Sequence, residues 1–230
     1  MSNHDIQERD EGIEIARRMA EEEEGIGRRP HGPAKYVVPT IAVVWCFFQL
    51  SIASWLILDS TFIRAIHLSF ALLIVFLNYP LFKKTRFGLK YFSAKDRIPI
   101  LDYLIGIIAA LAAVYIVIDY AGLTTRYGAP IARDIVIGFI LIVLLIEATR
   151  RVIGPALPAI ALLFLIYSFL GPYMPDLIAF KGTSLNRLMG QMTMSTEGIY
   201  GIPLDVSATI VFLFVLFGSM LDKAGAGQYF

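Results

Sequence analysis

One cysteine, three histidines and a charged fraction of only 17% set the first limits on this 230-residue chain. A single thiol, Cys46, permits neither an intrachain disulfide framework nor a cysteine-based zinc cluster. It lies inside an apolar block and reads as a small packed hydrophobe. Charge is scarce against the roughly 25% of an ordinary soluble domain. The motifs of common enzymes are missing as well: the sequence contains no H-E-x-x-H, no G-x-S-x-G and no G-x-x-x-x-G-K-[ST]. Ala224–Gly227 (AGAG) follows no strand and reads as a helix terminator. The first 35 residues have no apolar central region, which excludes a secretory signal there.

Apolar residues are what the chain has in excess, 57% with a mean hydropathy of +0.67. They are bunched into continuous blocks with no polar face, and a soluble helix needs one. About 20 residues at a 1.5 Å rise cross the hydrocarbon core. Six segments reach or approach that length: Tyr36–Leu58, Phe62–Phe82, Ile100–Tyr120, Ile131–Ala148, Ile153–Leu170 and Val206–Leu221. Continuous runs, not period-two alternation, exclude a barrel and require helices, because backbone in lipid must satisfy itself. The expected fold is therefore all-α, a polytopic integral membrane protein with about six spans.

Lysine and arginine placement orients them. The N-terminal tail, the loop after the second span, the turn after the fourth and the end of the sixth hold 15, the alternate connections five. Without the residues before Gly25 the split is still 12 to five. The positive-inside bias thus places the N-terminus in the cytoplasm. Residues 1–35 form a polar cytosolic tail, with a short charged helix carrying Ile13, Ala16 and Ala20 on one stripe. Glu21–Glu24 read there as a solvated face, since consecutive carboxylates on a helix diverge. Basic residues flank spans, which explains them without nucleic acid.

The connection at 171–205 differs from the others. Leu185, Leu188, Met189 and Met192 recur at helical spacing, opposite Asn186, Arg187 and Gln191, so an amphipathic helix is expected over 183–198. It is suited to the membrane interface or to packing on other helices, the alternative being a surface helix over a loop. Gly198, Gly201 and Pro203 should end it.

Ionisable residues cluster at span ends. Glu147 stands three and four residues before Arg150 and Arg151, the spacing of a same-face ion pair. Asp102 opens the third span near Arg97. Asp119 and Asp134 flank a loop with Arg126 and Arg133, and Asp205 fits an N-cap of the sixth span. His67 is the one intramembrane histidine and has no second ligand at metal spacing, so a packed, hydrogen-bonded role is expected. No residue is assigned to catalysis, to a cofactor or to a metal.

From about Ile98 onward, the segments RIPILDYLIGIIAALAAVYIVIDY, IVLLIEATRRVIGPALPAIALLFLIYSFLGPYMP, LNRLMGQMTMSTEGIYGIPLDVSAT and FVLFGSMLDKAGAGQYF carry a resemblance. They resemble the fused permeases of tripartite ATP-independent periplasmic (TRAP) transporters, of the TAXI-associated type. E-A-T-R-R-x-x-G-P and E-G-I-Y-G-I-P-L are the most specific pieces. The resemblance implies an ion-coupled secondary transporter in the bacterial inner membrane, taking organic anions, carboxylates, from a TAXI-type periplasmic binding protein. Sodium or protons would be the coupling ion. Residues 36–149 would correspond to a four-helix small-permease portion and 150–230 to the start of the large permease. The expected partners are that binding protein, the lipid bilayer and the remainder of the large permease. Substrate-contacting residues are expected beyond Phe230, which makes the chain read as a fragment. The rival expectation is a six-helix membrane scaffold without transport activity.

Overall fold

A computed structural model describes residues 27, 28, 30–81, 97–126 and 128–225. The charged tail helix, Glu21–Glu24, the basic residues Lys83 to Lys95 and the end of AGAG lie outside the described residues. Among the described residues every regular element is helical. A 3₁₀ turn, Gly32–Tyr36, leads into α1, Val37–Ser54. Then come α2 (Ser60–Asn78), α3 (Ile100–Ile118) and a short α4 (Tyr120–Thr125). They are followed by α5 (Ala132–Val152), α6 (Ala156–Leu170) and α7 (Leu185–Thr193). The last span is α8 (Ile202–Val206), a π-helical turn (Ser207–Val211) and α9 (Phe212–Lys223).

Among the described residues, five helical stretches are long and apolar enough to cross a membrane: Gly32–Ser54, Ser60–Asn78, Ile100–Ile118, Ala156–Tyr173 and Ile202–Lys223. The remaining long helix, α5, contains the segment expected as the fourth span. It is 21 residues long, but Arg133 and Asp134 stand near one end and Glu147, Arg150 and Arg151 near the other. Those charges set it apart from a lipid-facing span, and the bundle pairs them internally.

Span ends shift for local reasons. α2 begins at Ser60 because Asp59 caps it, its carboxylate accepting from the Thr61 N–H at 2.8 Å. Pro155 delays α6 to Ala156. The last span starts at Ile202, four residues before the expected Val206, with Gly201 at its cap. Asp205 is thus inside the first turn and not an N-cap. The amphipathic helix also stops short of 198. It ends at Thr193, and the Ile199 N–H bonds back to the Met192 carbonyl at 2.8 Å. Gly198 permits that return: a Cβ there would lie 2.5 Å from the Met192 backbone.

The core sits between α2, α3 and α5. α3 presents Gly106, Ala109, Ala112 and Ala113 as its buried face, and small residues let neighbouring helices approach closely. Leu68, Leu72 and Phe76 of α2 and Leu141 of α5 fill that face. A Cβ on Gly106 would stand 3.2 Å from Leu73. Two side-chain pairs fix the antiparallel register of α3 and α5: Asp102 with Arg151 at one end, Tyr115 with Asp134 at the other. The amphipathic helix α7 lays Leu188 and Met189 against Ile142 of α5 and Leu165 of α6. Its apolar face is thus spent on helix packing.

Candidate functional site

Polar side chains gather at three levels of the bundle. At the end where α2 finishes and α3 begins, Asp102 receives Arg28 and, at 2.9 Å, Arg151. All three side chains are buried. Arg151 also bonds Glu147 at 2.9 Å, which holds Arg150 at 2.7 Å. The three arginines donate to carbonyls at and just beyond the C-terminal end of α2: Arg28 to Phe76 and Leu77 in its last turn, Arg151 to Tyr79 and Arg150 to Leu81 after it. Cations belong there, since a helix C-terminus carries partial negative charge. The Arg151 guanidinium stacks 4.8 Å from the Phe76 ring centre. This arginine knot joins the segment before α1 to α2, α3 and α5.

The expected Glu147–Arg150–Arg151 pairing is present. Asp102 lies in the first turn of α3, as expected, and its ion-pair partners include Arg28 and Arg151, distant in sequence. Spacing could not reveal them.

The opposite end holds a second cluster. Asp119 pairs with Arg126 at 2.7 Å and with Arg133, while Arg126 also reaches Asp134 at 3.4 Å. The Tyr115 hydroxyl donates to Asp134, whose other oxygen accepts from the Ile131 N–H at 3.1 Å. The sequence grouping of Asp119, Arg126, Arg133 and Asp134 is therefore realised in space. Hydrogen bonding from Arg126 holds the Asp119 carboxyl below its usual range. Nearby, Arg64 pairs with Asp205 at 2.9 Å and donates to the Tyr200 carbonyl at 2.8 Å. Tyr200 is fully buried, its hydroxyl donating to the Ala113 carbonyl at 2.8 Å. Burial pushes its phenol pKa up.

Between the two ends lies a mid-bundle group. Gln49 Nε2 donates to Nδ1 of His67, whose Nε2 stands 3.5 Å from the Ser207 hydroxyl in the π-helical turn. Trp45 meets His67 edge-on at 4.9 Å between ring centres and Phe212 at 4.8 Å. The histidine is thus packed and hydrogen-bonded, as expected, and links α1, α2 and the last span. Gln49 was not legible as its partner, because a lone amide in an apolar run has no distinguishing spacing. Cys46 is a half-buried free thiol.

These groups form connecting and anchoring contacts. Among the described residues, no group of three or more histidine, cysteine or acidic side chains could hold a metal ion. Two cavities open beside the second cluster. One of about 290 Å³ is bordered by Arg126 and Arg187, and one of about 170 Å³ by Tyr120 and Thr124; they share Leu123 and Met194.

No curated protein and no solved structure matches the chain. Residues 139–230, from the middle of α5 through the last span, match the family model of the tripartite ATP-independent periplasmic transporter, DctM component.

Proposed function

We propose that the chain is the scaffold part of a TRAP-type permease. It would serve a binding-protein-dependent, ion-gradient-driven transporter that brings organic anions, carboxylates, across the inner membrane. The observation that carries this reading is the match of residues 139–230 to a permease component of such transporters. The helical architecture agrees with it: among the described residues, five helices fit a bilayer by length and composition. In this reading the four-helix portion 36–149 is a small-permease-like domain, and 150–230 opens the large-permease-like domain. Asp102–Arg151 and His67–Ser207 tie the two portions together. The Arg28 knot then faces the cytoplasm, by the lysine and arginine bias. A TAXI-type periplasmic binding protein is the partner, and sodium or protons supply the driving gradient.

The test is uptake of labelled carboxylates by the complete gene product in proteoliposomes, with its cognate binding protein. Uptake is expected only when both the binding protein and an imposed sodium or proton gradient are present. Uptake driven by ATP hydrolysis, or none across a panel of organic acids, would overturn the transport reading. In the second case the rival reading, a membrane scaffold without its own transport, gains: its support is that so many of the polar groups in the bundle hold helices to one another.

A further inference from the structure

The 290 Å³ cavity at the Asp119 end has a lining that the ion-pair network does not use up. Its walls come from two stretches distant in sequence: the connection after α4, with Arg126, and the helix α7, with Asn186, Arg187, Gly190 and Gln191. Arg187 donates its backbone N–H to the Ser184 hydroxyl, but its guanidinium has no hydrogen-bond or ion-pair partner among the described residues. Arg126 spends Nη2 on Asp119 and Asp134, yet its Nε is buried without a hydrogen-bond partner. An unmet buried donor carries a free-energy penalty unless something accepts from it. Gln191 is held by Glu197 at 2.6 Å, which fixes its side chain beside the cavity. A Cβ built on Gly190 meets nothing within 4 Å, so this wall is open backbone.

We propose that this cavity binds a small oxyanion, a carboxylate or a phosphate, between Arg126 and Arg187. The pairing favours an anion: Arg126 and Arg133 together balance Asp119 and Asp134, whereas Arg187 has no paired counter-charge among the described residues. The planar guanidinium fork matches the two oxygens of a carboxylate or phosphate. Asn186 and Gln191 add amide donors. The volume suits a small anion and falls short of the drug-sized range, roughly 300–1,000 Å³. A free solute anion and a phospholipid headgroup present the same chemistry. The site does not depend on the transport reading.

The test uses the full chain in nanodiscs of phosphatidylcholine alone. Thermal unfolding is followed by tryptophan fluorescence as inorganic phosphate or acetate is added against chloride at equal ionic strength. A saturable upward shift with either probe identifies a solute anion. A parallel arm adds phosphatidylglycerol and counts retained lipid by native mass spectrometry. Retention there, without a shift from the free probes, identifies a headgroup. In either arm Arg187→Gln should weaken binding at least about tenfold, the loss of one charge-assisted contact. Gly190→Leu should abolish binding by filling the cavity. Lys181→Gln, outside the cavity, should bind as the parent does. Arg187 forms no side-chain contact that holds the fold, so its variant remains interpretable if Gly190→Leu misfolds. Absence of binding in both arms, or binding unchanged in Arg187→Gln, would overturn the proposal.

Discussion

The two ends of the bundle solve the same problem differently. At the arginine-knot end, Arg28, Asp102 and Arg151 are all but sealed from solvent, their side chains 0%, 4% and 1% exposed. At the opposite end, Arg126 and Asp119 are each 25% exposed and Arg133 is 55% exposed. Only Asp134 is sealed there, and its neutralisation is shared among a phenol, a backbone N–H and Arg126. The neutral Tyr200 makes the deep long-range contact at that end. Buried charges are unforgiving, because removing one partner strands the other in a medium that cannot solvate it. Exposed charges are solvated either way and contribute little. The knot should therefore dominate stability, and the second cluster should tune it.

The largest expected effect is at Asp102. Replacing it with leucine leaves Arg28 and Arg151 without their shared carboxylate and should destabilise by about 3–5 kcal/mol. Thermal unfolding in detergent would show it. If Asp102→Leu unfolds no earlier than a variant at Asp119, the contrast between the ends collapses. Next is Gly198→Ala, which forces a Cβ into the Met192 backbone and should cost about 1–3 kcal/mol as overpacking does. Protease sensitivity between α7 and α8 should rise with it. Tyr200→Phe removes one buried hydrogen bond to Ala113, a carbonyl already placed in a helix, and should cost about 0.5–1.5 kcal/mol. A loss above that range would show that the opposite end depends on burial as much as the knot does.

The smallest effect belongs to Asp119→Asn, which should lower the unfolding temperature only slightly and only at low ionic strength. Its pH signature has a definite sign. The folded-state pKa lies below the unfolded value of about 3.9, so the contribution is present above that value. It is lost as the pH falls through the lowered folded-state pKa. Parent and variant should therefore differ equally at pH 7 and pH 5, and converge in strong acid. A difference that disappears between pH 7 and pH 5 would point to another group.

Legibility followed the range of each interaction. Continuous apolar blocks announced the spans, because lipid imposes its length and composition rule on every residue in them. Glu147 with Arg150 and Arg151 was readable because a helix turn brings positions three and four apart together. Asp119 through Asp134 was readable because a short connection keeps them close. The partners of Asp102 and Asp205 were not. Arg28, Arg151 and Arg64 reach them through tertiary packing, which leaves no periodic trace. Local spacing shows Asp102 only as the opening of a span near Arg97 and Asp205 as a cap, while each carboxylate bonds across the bundle. α7 is shorter than the expected 183–198 for a related reason. Its apolar periodicity runs through Met192, but the backbone then turns back at Gly198, and only glycine fits that return.

The wide turn at Ser207–Val211 sets the phase of the last helix. Ser207 and Phe212 are five positions apart, which on a regular α-helix turns them about 140° from one another. Both nevertheless meet the His67–Trp45 group. The Phe212 N–H bonds the Ser207 carbonyl, an i to i+5 closure that absorbs the surplus residue. Deleting one residue in that turn would restore ordinary winding and leave the downstream helix in phase, whereas deleting one just after it, in regular α-helix, would rotate everything downstream by about 100°. Phe214 and Phe217, now exposed, would then change neighbours. The turn works as a vernier, deciding which stripe of α9 looks at the bundle and which looks away.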